Sequence, residues 1–365
     1  MTGKQPDNRS HALLDVGPPV LSLAVLVLAF WGLLDWDVPL TRFVRSLNDY
    51  HIDHLANPWL AQLSDLGDRF GRGESLMVFS LVMLAIGYAM KHEVWKAAGW
   101  QSLLAHGIAA LTSNVVKHVI GRPRPKFMHA GNVEFSPAGG SGWDSFPSGH
   151  ASASFAVAAV LAVRFPKARW IIMGMAMAIA VSRIFRGSHF LTDSVGGAIL
   201  GYLIGVVVAN PWREWRSSLT TGLCSLTPVL TAVLVLAWTI SHYPSDEWPE
   251  PQLVAAGVSL TLIGLSGHVM QTFRGPLFPG WLSGHCTRAL IGLGLGMNSG
   301  SVWVTTTVLC ACLSYWLREQ HRQAEPFVDA GRSSTYIFTK EMAFSLLVLL
   351  GLLAGVELRG ALPMV

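Results

Sequence analysis

"WDSFPSGHASASFAVAAVLAVRF", residues 143–165, begins as a polar turn broken by proline and glycine and continues as an apolar segment long enough to enter a bilayer. His150 stands at the junction. Ser148 is of the type that caps a helix N-terminus, so the stretch predicts a helix starting at a polar mouth and running into membrane. Further apolar runs flank it at 17–34, 75–90, 98–116, 169–182 and 193–210, and others follow at 220–240, 252–269, 286–298, 301–317 and 342–356. About 17–25 such residues cross a bilayer as a helix. The chain is 51% hydrophobic and 13% charged, against about a quarter charged in soluble domains. No long run alternates with the two-residue period of a membrane barrel strand. The expected fold is therefore all-α, a polytopic membrane bundle of ten or eleven helices. The first run predicts a retained helix, because its leader balances Lys4 and Arg9 against Asp7 and Asp15 and no small-residue cleavage site follows.

The net charge of +4 is small, and Lys and Arg gather at helix ends, which excludes nucleic acid as a partner. Cys224, Cys286, Cys310 and Cys312 show no zinc spacing and imply no disulfide framework. Basic short loops mark the cytoplasmic side. "KHEVWK", the loop with Arg164, Lys167 and Arg169, and "WREWR" share one side, which places the "PSGH" turn on the other. Residues 36–74, rich in Asp, fall on that outer side and read as a surface segment with amphipathic pieces. So does the loop 117–149, although it carries Lys117, Arg122, Arg124 and Lys126. Basic residues there run against the insertion preference and suggest that the loop holds an anion.

Three clusters of ionisable residues lie at the outer helix ends. They are "KHVIGRPRP" with Lys117 and Arg124, "PSGH" with Ser148, Gly149 and His150, and "SRIFRGSHFLTD" with Arg183, His189 and Asp193. Singly, each has a structural explanation. Lys117 and Arg183 suit snorkelling anchors, Ser148 an N-cap, His150 a polar helix end, and His189–Asp193 an i,i+4 pair. Together, three cations, two histidines and a carboxylate exceed any structural need. A phosphoryl group requires fixed positive donors, which two Arg forks and a Lys supply, and a glycine lets backbone N–H groups approach it. Two histidines allow one nucleophile and one general acid, and Asp193 suits the orientation of His189. No carboxylate cluster suggests a metal site, so the expected chemistry uses no metal and no cofactor.

The pattern K-x6-RP, PSGH, SR-x5-H-x3-D resembles the signature of the type 2 phosphatidic acid phosphatase (PAP2) superfamily, shared with vanadium haloperoxidases and bacterial acid phosphatases, over roughly residues 70–211. The resemblance implies a six-helix core in which His189 is the nucleophile and forms a phosphohistidine, and Asp193 orients it. His150 would protonate the leaving oxygen and then activate water. Lys117, Arg124, Arg183, Ser148 and the Gly149 backbone would bind the phosphate. A core within the bilayer implies the lipid branch, acting on the outer face of a bacterial cytoplasmic membrane. Candidate substrates are undecaprenyl diphosphate, phosphatidylglycerol phosphate, phosphatidic acid and lipid A. A phosphotransferase using the same intermediate, or a binder or transporter of anionic lipid, is the alternative. The loop 126–146 is a candidate lid, or a plain surface loop.

The expected division is a core over 1–216 and a C-terminal extension over 217–365 with about five more membrane helices. In the extension "GHVMQTFRGP", "LSGH" and "SYWLREQH" faintly echo the three motifs, with His285, His321 and Arg274 at motif positions but Gly267 and Tyr315 in place of the Lys and Arg. A decayed repeat or chance accounts for them.

Overall fold

A computed structural model of the chain describes residues 8–46, 58–127, 135–241, 251–274, 282–299 and 301–324. The helices are α1 (Asn8–Leu34), α2 (Asp37–Ser46), α3 (Pro58–Gly71), α4 (Gly73–Ala89), α5 (Glu93–Ile120) and α6 (Gly149–Arg164). They continue as α7 (Arg169–Phe185), α8 (Leu191–Ala209), α9 (Trp215–Ser241), α10 (Pro251–Arg274), α11 (Leu282–Asn298) and α12 (Val302–Ala324). No strand occurs among the described residues, and the all-α expectation holds.

By length and composition, the stretches Gly17–Leu34, Glu93–Phe127, Leu191–Ala209 and Trp212–Val235 suffice to cross a membrane. Ser64–Gly71 of α3 and Gly73–Ala89 (α4) meet the same criterion only as a pair, bent by 58° at Arg72, the geometry of a broken span or of a re-entrant loop. Gly149–Arg164 and Val302–Tyr315 are apolar but shorter. The expected run at 342–356 lies outside the described residues, as do the side chains of Arg274, His285 and His321 and residues 128–134 of the candidate lid.

Contacts gather the chain into two units, Leu33–Gly222 and Met1–Gly32 with Leu223–Val365. The sequence reading drew its line after 216 and kept residues 1–32 with the core. In the second unit, Ser22 and Ser314 hydroxyls meet at 2.8 Å, and Ser314 also donates to the Pro18 carbonyl at 3.0 Å.

In the first unit α6 is the central helix. Every residue from Ala151 to Leu161 is buried, as expected for a helix that is apolar or small on all sides. Its partner α8 carries Gly197, Gly201 and Gly205 at four-residue spacing. A Cβ on them would stand 2.5, 2.1 and 2.3 Å from the carbonyl oxygens of Ser148, Ser152 and Ala156. Only side-chain-free positions allow so close a backbone approach. α5 stops at Gly121, whose φ of +57° and N–H bond to the Lys117 carbonyl (2.8 Å) form a left-handed cap. The chain therefore turns one residue after the helix ends and delivers Arg122 and Arg124 next to Lys117. Because α5 through α8 alternate in direction, the C-termini of α5 and α7 and the N-termini of α6 and α8 share one end of the bundle.

Candidate active site

At that end every residue singled out from the sequence takes its place. Lys117 is in the last turn of α5, Gly149 and His150 open α6, Arg183 is in the last turn of α7, and Asp193 is in the first turn of α8 after His189. Ser148 is fully buried and caps α6, its hydroxyl accepting from the Ala151 N–H at 3.5 Å. Its own N–H donates to the Asp193 carbonyl at 2.9 Å, tying the second motif to the third. Lys117 Nζ lies 3.9 Å from where a Cβ on Gly149 would be, so the absent side chain leaves the ammonium beside the N-terminus of α6. Helix N-termini favour anions.

His189 is buried, with Nδ1 2.9 Å from the Ser145 carbonyl and 3.8 Å from Asp193 Oδ2. A carbonyl only accepts, so Nδ1 carries the proton and the neutral ring keeps its lone pair on Nε2. The partner that fixes the tautomer is thus a backbone carbonyl, while Asp193 stands one step behind. Asp193 accepts from Ser145 Oγ at 2.5 Å, from the Phe190 N–H at 2.8 Å and from Arg122 Nη1 at 2.7 Å. Burial holds the imidazole below the ordinary histidine range, and the Asp193 charge opposes this only in part.

Sequence reading grouped Arg122 with the cations of an anion-holding loop. The structure gives it a different task. Its side chain is 5% exposed and bridges Asp193 and Asp37, reaching Asp37 Oδ2 at 2.6 Å. Nη1 also donates to Thr192 Oγ1 at 2.7 Å, and that hydroxyl donates to Asp37. Asp37 Oδ1 accepts the Thr192 N–H at 2.9 Å. Two carboxylates thus serve orphan N–H groups at the start of α8, with one guanidinium between them and the Phe190 ring 4.5 Å away.

The three remaining cations face carboxylates. Arg124 grips Asp144 with both arms of its fork, Nε to Oδ1 at 2.8 Å and Nη2 to Oδ2 at 2.6 Å. Lys117 Nζ lies 3.9 Å from Asp144 Oδ2. Partial burial pushes the Asp144 carboxyl up, but the Arg124 bonds and charge, helped by Lys117 and the Gly142 N–H, bring it down to about 2. Arg183 Nη1 bonds Asp68 Oδ1 from α3. The same oxygen lies 3.4 Å from His150 Nε2, and Arg72 Nη2 holds the other at 2.9 Å. Residues 36–74 are therefore more than a surface segment. They contribute Asp37 and Asp68, 2% and 8% exposed. The signal available beforehand was charge complementarity between an Asp-rich segment and a misplaced basic loop on one side of the membrane.

The arrangement brings together a buried histidine with a free Nε2, a second histidine, and three cations at one end of the bundle, one of them beside the N-terminus of α6. Residues 98–217 match the PAP2 superfamily. Over 103 residues the chain is 33% identical to a lipid A 1-phosphatase of Rhizobium johnstonii, covering 28% of this chain and 42% of that protein. It is 29% identical over 165 residues to phosphatidylglycerophosphatase B of Bacillus subtilis, covering 42% and 76%. It thus spans less than half the length of the lipid A 1-phosphatase. A crystal structure of a transmembrane PAP2-type phosphatidylglycerolphosphate phosphatase from Bacillus subtilis aligns at 26% identity over 53% of this chain and 94% of that one, with a TM-score of 0.40.

Proposed function

We propose that this membrane protein, whose residues 98–217 belong to the PAP2 superfamily, is a phosphatase that removes phosphate from a lipid through a covalent histidine intermediate. The observation that carries this reading is the His189 ring, its Nδ1–H committed to the Ser145 carbonyl and its Nε2 left free, with the charges of Arg183 and Lys117 acting on the ring. Lys117, Arg124 and Arg183 neutralise the phosphoryl oxygens, and the N–H groups at the start of α6 add a partial positive charge. His189 Nε2 attacks phosphorus, and the lipid oxygen leaves with a proton from His150. Water, deprotonated by His150, then attacks the phosphohistidine and releases inorganic phosphate. The Asp193 carboxylate, 3.8 Å from Nδ1, stabilises the cationic ring by its charge, and no step calls on a metal.

The relatives named as lipid phosphatases and the apolar helices around the site support a lipid substrate. The basic loops on the opposite side support a site on the outer face of a cytoplasmic membrane. The catalytic unit is the N-terminal part of the chain, residues 33–222 by contacts. To test this, purified protein in detergent with a chelator is offered lipid phosphates and diphosphates, and free phosphate is measured. The expected result is release by the wild type and a loss of several orders of magnitude in His189→Ala. Release from none of the lipids refutes hydrolysis, phosphate found on a second lipid marks transfer instead, and full activity of His189→Ala refutes the nucleophile.

A further inference from the structure

Beside the cations lies a cavity of about 200 Å³ walled by α5, the start of α6 and the α3–α4 break. Lys117, Gly149 and His150 form one side of it, and His106, Ser113 and Asn114 continue it along α5. These α5 residues recur at three-, four- and seven-residue spacings and so share one helix face. His106 is 8% exposed, and its buried Nδ1 has no hydrogen-bond partner. The Ser113 hydroxyl donates to the Ala110 carbonyl at 3.1 Å, which leaves its oxygen able to accept. With Lys117, these residues put four polar side chains on the face of α5 that lines the cavity.

The position of the cavity says which part of a substrate enters it. In-line displacement at phosphorus puts the nucleophile and the leaving oxygen on opposite sides. His150 and Lys117 are on the cavity wall, whereas His189 is 3% exposed and is not. The space therefore lies on the leaving-group side. At about 200 Å³ it is smaller than the roughly 300–1,000 Å³ that houses a drug-sized ligand, so it fits a headgroup and not an acyl chain. Lys117 is its one Lys or Arg among the described residues and is engaged by the phosphate under attack, while the proton on His150 is committed to the leaving oxygen. A second phosphate would be desolvated there without a counter-charge of its own.

We infer that this cavity is a headgroup subsite for an uncharged hydroxyl- or amide-bearing group on the leaving oxygen, the size of a glycerol or a sugar ring, recognised by His106, Ser113 and Asn114. The inference rests on the hydrolytic reading above and narrows its substrate class away from prenyl diphosphates and bare alkyl phosphates.

The test compares kcat/KM for N-palmitoylglucosamine 1-phosphate, hexadecyl phosphate and farnesyl diphosphate in the wild type, H106L and N114L. Asn114 is exposed, so N114L reports even where H106L fails to fold. The expected result is that the wild type favours the glucosamine lipid and that each variant lowers its rate relative to hexadecyl phosphate by about tenfold, near the worth of one hydrogen bond. An unchanged ratio in both variants, or a wild type that prefers farnesyl diphosphate, overturns the subsite and leaves hydrolysis standing. Phosphate release from none of the three overturns both.

Discussion

Arg122 and Arg124 are two residues apart, carry the same charge, and face opposite fates on substitution. Arg122→Met removes the cation that bridges Asp37 and Asp193, which are 2% and 0% exposed in their side chains. Breaking a buried ion pair from one side costs about 3–5 kcal/mol, because the partner charge is left desolvated. Arg124→Met strips a partner from Asp144, whose side chain is 36% exposed and returns to water. Such a pair is worth about 0–1 kcal/mol. On activity the order reverses, since Arg124 is one of the proposed phosphate donors, and losing one preorganised donor costs about 10²–10³ in rate. Unfolding by sodium dodecyl sulfate in mixed micelles, followed through the chain's 14 tryptophans, reads the first quantity. Phosphate release per folded molecule reads the second. Arg122→Met should unfold much earlier than wild type, and Arg124→Met close to it but nearly inactive. Adding Asp37→Asn to Arg122→Met should recover part of the loss, because it removes one of the stranded charges. Equal stability of wild type and Arg122→Met would refute the buried-hub account.

Three further outcomes follow from the same contacts. Asp68→Asn frees Arg183 and removes the charge beside His150, and should lower kcat by about 10–100-fold by weakening acid–base catalysis, with Asp68→Glu restoring part of it; an unmoved kcat and pH profile refutes the link. Asp144→Asn removes the carboxylate that occupies the Arg124 fork, so KM for lipid phosphate and the vanadate concentration that inhibits should both fall severalfold; a rise in either refutes competition. His189 attacks only when neutral and its pKa is lowered by burial, so the acid limb of kcat/KM should lie below the ordinary value of about 6.5. The sign for stability agrees, since the unfolded ring takes up a proton first and stability declines as pH falls below that value. An acid limb above about 7 would refute the buried neutral ring.

What could be read in the sequence was whatever sits within one turn of a motif. Lys117, Arg124, Ser148, His150, Arg183, His189 and Asp193 belong to short patterns whose chemistry constrains their spacing. Asp37 and Asp68 meet Thr192 and Arg183 across 155 and 115 residues of chain, and no local periodicity announces such a pairing. Arg122 illustrates the opposite limit. Its residue type pointed to an anion, and only tertiary structure shows that the anions are the protein's own carboxylates. The role of Ser145 was hidden for another reason, because it acts on His189 through a backbone carbonyl, a group that every residue possesses. Fold class was legible from hydropathy alone. The 58° break at Arg72 was not read, although Gly71 and Gly73 flank it.

The glycine row of α8 bears on mechanical tolerance. Between most membrane helices a layer of side chains acts as a gasket, compressible and free to change rotamer when the surrounding lipid thickens or thins. Between α6 and α8 there is none at Gly197, Gly201 and Gly205, and backbone rests on backbone. The helix whose first turn carries His150 and the helix that starts after His189 are machined as one part. Strain from the bilayer must then be taken up elsewhere, at joints such as Arg72, while the separation of the two histidines stays fixed.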